Sequence, residues 1–154
     1  MERFAPILRA CAEKAALPTV KALAARPGMK AVYRVTIYHA DWRAADVVVT
    51  IKHGTETVRE IVYVGCFENK PLIRKMTPAD YQAFVALVGT KTFDHLSDQA
   101  GTAPIDADVC LFERAAGTFV KSVIFTPQTP SDAYTPLVEA IRQFMPEAER
   151  EIAR

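Results

Sequence analysis

The chain has 154 residues, 50% of them hydrophobic, 24% charged and 9% aromatic, which is the balance of one globular domain able to bury a core without disulfides or metal. Lys plus Arg number 19 and Asp plus Glu 18, and a net charge of +1 speaks against a strongly basic nucleic-acid binder and against a disordered acidic tail. No run approaches the ~18 consecutive apolar residues of a membrane-spanning helix.

Charge is unevenly spread. Residues 1–30 carry six Lys or Arg against two Glu, whereas residues 131–154 carry five acids against three arginines. A basic N-terminal segment of this kind is either a solvated helix face or a surface for an acidic partner. The segment lacks the unbroken apolar stretch of a secretory signal, because Arg9, Glu13 and Lys14 interrupt it, so the expected location is cytoplasmic. Cys11, Cys66 and Cys110 show no paired spacing and read as reduced thiols.

Within residues 1–30, read as a helical arm, Phe4, Ile7, Leu8, Cys11 and Ala15 recur at helical steps until Pro18. Thr19 is placed to cap a second short turn carrying Val20 and Leu23, and Arg26-Pro27-Gly28 stops it. Residues 31–146 form the predicted domain. Three β-rich runs, Ala31–His39, Asp46–His53 and Thr57–Gly65, are joined by short connectors and so predict an antiparallel meander. Apolar content in the first hairpin sets Val35 opposite Ile51, Ile37 opposite Val49 and His39 opposite Val47; the register of the third run stays open. A short fourth strand, Pro71–Lys75, follows the Glu68-Asn69-Lys70 turn.

Thr77-Pro78-Ala79-Asp80 is a helix start, with Tyr81, Phe84, Val85 and Val88 on one face and Gly89 as the stop. A polar stretch from Ser97 to Asp108 precedes a second hairpin, Val109–Arg114 with Thr118–Thr126, joined by Ala115-Ala116-Gly117. The later strand has apolar residues on both sides and is therefore expected inside the sheet. Thr135-Pro136 opens a last helix with Leu137, Val138, Ile141, Phe144 and Met145 inward, ended at Pro146, and residues 147–154 form a helical extension or tail. The expected fold is α+β, a mainly antiparallel sheet of meander plus hairpin covered by two helices, with the N-terminal helical arm.

No phosphate-loop, dinucleotide, nucleophile-elbow or zinc-protease motif is present. His39 and His53 fall at opposite ends of one hairpin, too far apart to share a metal, and Asp94-His95 are neighbours whose side chains point apart. Asp106 and Asp108 read as turn acceptors before a strand. No catalytic residue, metal ligand or cofactor is therefore assigned. Trp42, the single tryptophan, sits in a turn beside Arg43; it either folds over the sheet edge or stands out as a binding anchor.

The order of elements resembles an uncharacterised family of small bacterial α+β proteins, a domain of unknown function. The residues that carry the likeness are Tyr33-Arg34, the Thr77–Val88 helix, Phe93–Leu96, Asp106 with Glu113, Gly117 with Phe119, and Thr126-Pro127. The resemblance implies the fold and carries no activity. The expected function is a non-enzymatic binding or interaction protein, as a homodimer or with a protein partner, and with neither nucleic acid nor a membrane span. Its candidate binding residues are Tyr33, His39, Trp42, Arg43, Tyr63 and Cys66. The alternative is a small-ligand protein or enzyme that uses a concave sheet face lined by the aromatics, His39 and Cys66.

Overall fold

The computed structural model describes residues 4–40, 45–64, 71–101 and 107–149. It confirms the α+β class. Six antiparallel strands form one sheet: β1 (Ala31–Tyr38), β2 (Asp46–His53), β3 (Thr57–Val64), β4 (Leu72–Lys75), β5 (Val109–Ala116) and β6 (Phe119–Phe125). Their spatial order is β4-β3-β2-β1-β5-β6, so the second hairpin completes the sheet by pairing β5 with the free edge of β1.

The first hairpin pairs Ile37 with Val47, Val35 with Val49 and Tyr33 with Ile51, two residues away from the register expected from apolar content. Both registers put the same side chains inward, because a slip of two preserves the alternation of faces. Polar groups at the hairpin ends select the observed one: His39 N–H donates to Asp46 Oδ1 at 3.0 Å, and Lys30 N–H to the His53 carbonyl at 2.8 Å.

One face of the sheet carries the main core. Helices α3 (Pro78–Val88) and α5 (Thr135–Phe144) cover Tyr33, Val35, Ile37, Val47, Val49, Ile51, Ile61, Phe112 and Phe125. Thr77 Oγ1 accepts from Asp80 N–H at 3.1 Å, and Gly89, at φ 64°, ends α3 in the left-handed conformation that suits glycine. A short helix not foreseen in the sequence, α4 (Thr90–Asp94), follows at once and buries Phe93.

The other face is also covered. Helix α1 (Ala5–Lys14) sets Leu8 against Val109, Leu111 and Ile124, and α2 (Val20–Ala24) sets Val20, Leu23 and Ala24 against Val32 and Ala115. Leu8, Cys11 and Ala12 are the inward residues of α1; Ile7, expected on that stripe, is exposed. The helix ends before Pro18, at a turn in which Ala16 N–H meets the Glu13 carbonyl and Leu17 N–H the Ala12 carbonyl, with Ala16 at φ 56°.

These two layers explain a difference from expectation. β6 has apolar residues on both sides, yet it lies at the sheet edge, with Val123 and Phe125 in the main core and Ile124 under α1 while Phe119 and Val120 are exposed. The outer backbone at its C-terminal end is closed from the side: Asp98 Oδ1 accepts from Ile124 N–H, Gln99 N–H donates to the Ile124 carbonyl, and Gln99 Oε1 accepts from Thr126 N–H. The β5–β6 turn is two residues, Gly117-Thr118, shorter than the expected loop, with Gly117 at φ 59°. Among the described residues, no helix is long and apolar enough to cross a membrane.

Candidate functional site

Of the predicted binding residues that are described, Tyr33 lies apart from His39 and Tyr63. Tyr33 is buried under α3, its ring edge-on to Phe84 at 5.0 Å. Tyr63 is buried too, but opposite Val47, four residues further along the sheet from the row of Tyr33, Ile51 and Arg59. Strand spacings put the two tyrosines about 16 Å apart. His39 lies buried at the Tyr63 end. Trp42, Arg43 and Cys66 fall outside the described residues, as do Asp106, the 41–44 turn, the 68–70 turn and residues 150–154.

Around His39 the chain gathers acids from distant positions. Its Nδ1 lies 3.2 Å from Asp108 Oδ2, while Ala40 N–H donates to Asp108 Oδ1 at 2.9 Å and Gln128 Nε2 to Oδ2. Burial alone would raise the Asp108 pKa, but these donors together hold it below the ordinary carboxylate value. An ionised Asp108 only accepts, so Nδ1 carries a proton toward it, and Nε2 is buried without a hydrogen-bond partner among the described residues. On the other side of the sheet Cys11 Sγ sits 3.9 Å from Asp46 Oδ2, and burial, then Asp46, push the thiol up to about 11. A thiol so shifted stays protonated and unreactive near neutral pH. Asp108, expected to accept within its own turn, instead accepts from the Ala40 backbone and orients His39 from across the fold, which sequence spacing does not disclose.

A second polar feature crosses the sheet under the α1–α2 connection. Glu60, Thr50, Arg34, Glu113 and Ser122 stand opposite one another on β3, β2, β1, β5 and β6. Arg34 is 2% exposed; its Nε donates to Thr50 Oγ1 at 2.9 Å and Nη1 to the Pro18 carbonyl at 2.7 Å. Arg9 and Lys52 flank the row, 3.9 Å from Glu113 and 3.5 Å from Glu60. Burial raises the Glu113 pKa and is opposed by Arg34 and then Arg9; burial likewise lowers that of Arg34, opposed by Glu113 and Glu60. The row ties the N-terminal helices to the sheet and is covered by them. Alternation gave a signal for it, since Arg34 shares the face of Val32 and Thr36, but the open register of the third run hid its partner Glu60.

Other ionisable groups serve packing. Asp94 receives a forked pair of bonds from Arg114 at 3.1 and 3.0 Å, so it does not orient the neighbouring His95, which is exposed. His53 stacks on Tyr81 at 3.9 Å at the opposite end of the hairpin from His39. The face a single-stranded nucleic acid would need, exposed Tyr38 or Tyr63 beside Arg34 and Arg59, is not formed: Tyr38 is exposed, but Tyr63 and Arg34 are buried.

The surface differs from this paired interior. Among the described residues six large apolar side chains are exposed, and four of them fall on the two edge strands: Leu72 and Ile73 on β4, Phe119 and Val120 on β6. Beside β4 lies a cleft of about 180 Å³ lined by Arg59, Arg74, Lys75 and Asp80 over Met76 and Phe144. Comparison with protein-family models and with curated proteins finds no match.

Proposed function

We propose that this chain is a non-enzymatic binding protein that acts by associating with another protein or with a second copy of itself. The observation that carries this reading is the placement of exposed apolar side chains on the edge strands β4 and β6, while the described ionisable groups of the interior are held in pairs between packed layers. Buried Cys11 and Cys110 suit a reducing, cytoplasmic setting. Chemical cross-linking with sedimentation velocity tests the proposal. Association is expected, with cross-links beside Leu72–Ile73 or Phe119–Val120. A strict monomer that captures no protein from its native cell would contradict it.

The buried Nε2 of His39, without a hydrogen-bond partner among the described residues, favours a second reading, small-ligand binding at that end of the sheet. A small molecule that shifts the His39 ring resonances and is released by His39→Phe supports this reading; an ordered water filling Nε2 in experimental density closes it.

A further inference from the structure

We infer that β4 is the docking strand for an extended, acidic segment of a partner protein, which joins the sheet as its seventh strand. This rests on the reading of the chain as an interaction protein and names the chemistry of the partner.

The backbone supplies the first argument. Met76 N–H donates to the Thr57 carbonyl at 2.7 Å, which fixes the alternation along the β3–β4 ladder. The pairs two and four residues further along, Arg59 with Arg74 and Ile61 with Leu72, are then the pairs that exchange bonds inward. It follows that the N–H and C=O groups of Ile73 and Lys75 point away from the sheet. Among the described residues none bonds to them. At the far edge Asp98 and Gln99 occupy the equivalent groups of Ile124 and Thr126 and so close the end of β6, whereas among the described residues nothing occupies those of β4.

Side chains supply the second argument. Leu72 and Ile73 are 52% and 56% exposed and project to opposite faces, so an added strand would cover both with its own alternating side chains. The cleft beside them presents three cations against the single carboxylate of Asp80. Arg59 is already engaged, by the Phe144 carbonyl at 2.7 Å and Glu147 at 2.9 Å, and Lys75 pairs at the surface with Glu56 at 3.2 Å. Arg74 has no counter-ion among the described residues. A carboxylate on the added strand fits there.

The same charges argue against a second copy on this edge. Two β4 strands side by side would crowd both copies of Arg74 and Lys75 into one seam, where like charges repel. A free anion, for its part, would use the cations but not the outward amides of Ile73 and Lys75.

The test uses the full chain and two fluorescent peptides, Thr-Val-Glu-Val-Glu-Val and its counterpart with Lys for Glu, followed by anisotropy. The acidic peptide is expected to bind about tenfold more tightly than the basic one. Ile73→Pro removes an outward N–H and leaves the β3 ladder intact, as edge strands allow, and is expected to weaken the acidic peptide about tenfold with an unchanged thermal midpoint. Arg74→Glu is expected to invert the peptide preference. Binding of neither peptide, equal binding of both, or unchanged affinity in Ile73→Pro would overturn the inference. If association of the chain persisted at Phe119–Val120 while the peptide result failed, the strand assignment alone would fall; a strict monomer without partners would remove the broader reading as well.

Discussion

Arg34 illustrates how much a single buried charge governs here. Its guanidinium holds the Pro18 carbonyl and Thr50 between two glutamates, so Arg34→Met leaves Glu113 and Glu60 buried without their shared cation. Loss of one partner of a buried ionic group costs about 3–5 kcal/mol, whereas replacing the pair by apolar side chains is often close to neutral. Urea unfolding is expected to show Arg34→Met strongly destabilised and Arg34→Met with Glu113→Leu largely restored; additive losses would show the two do not interact. His53 gives a pH signature. Burial first, and Lys30 second, depress its pKa below 6.5, so its neutral form is favoured in the fold. Its contribution to stability is therefore full above the unfolded value and lost as pH falls through the folded one. Ring NMR titration is expected to place His53 below the ordinary histidine value, with Lys30→Met moving it upward. The chemistry of single residues was the least legible level of the sequence. Asp108 reads in sequence as a local turn acceptor, but its bonds to His39 and Ala40 span 69 and 68 positions and depend on β5 lying beside β1.

Elements with local signals were read most accurately. Thr77, Pro78 and Gly89 mark both ends of α3 in sequence because caps satisfy backbone groups within one turn. Thr77→Ala is expected to cost about 1 kcal/mol in urea unfolding. The end of α1 was misplaced at Pro18 because its stop uses Ala16 in a conformation usually given to glycine. An alanine there carries roughly 1 kcal/mol of strain, so Ala16→Gly is expected to stabilise the protein by up to about that amount. A destabilised variant would place the strain elsewhere. Strand pairing was legible only as far as its period: alternation sets which face is inward but does not distinguish registers two residues apart, and the polar groups of Lys30, His39 and Asp46 decide between them.

At the scale of the molecule, helices cover both faces of the sheet and Asp98 and Gln99 close the end of β6, while β4 sets outward backbone groups and exposed apolar side chains beside a cluster of cations. The three-layer arrangement was only partly legible. The amphipathic faces of α1 and α2 were visible as patterns, but which surface they cover follows from the sheet order, and that order depends on a pairing between β1 and β5 more than seventy residues apart in sequence. The candidate binding residues show the same limit: tyrosines that alternate on strands can line a cleft or fill a core, and the helices above Tyr33 decide for the core. Amide hydrogen exchange, resolved by residue in the free chain and in its complex with the acidic peptide, tests the account most directly. It predicts that Ile73 and Lys75 exchange fast in the free chain while Leu72, Arg74, Ile124 and Thr126 are protected, and that Ile73 and Lys75 become slow in the complex. Protection of Ile73 and Lys75 in the free chain, or fast exchange that the peptide leaves unchanged, would contradict it.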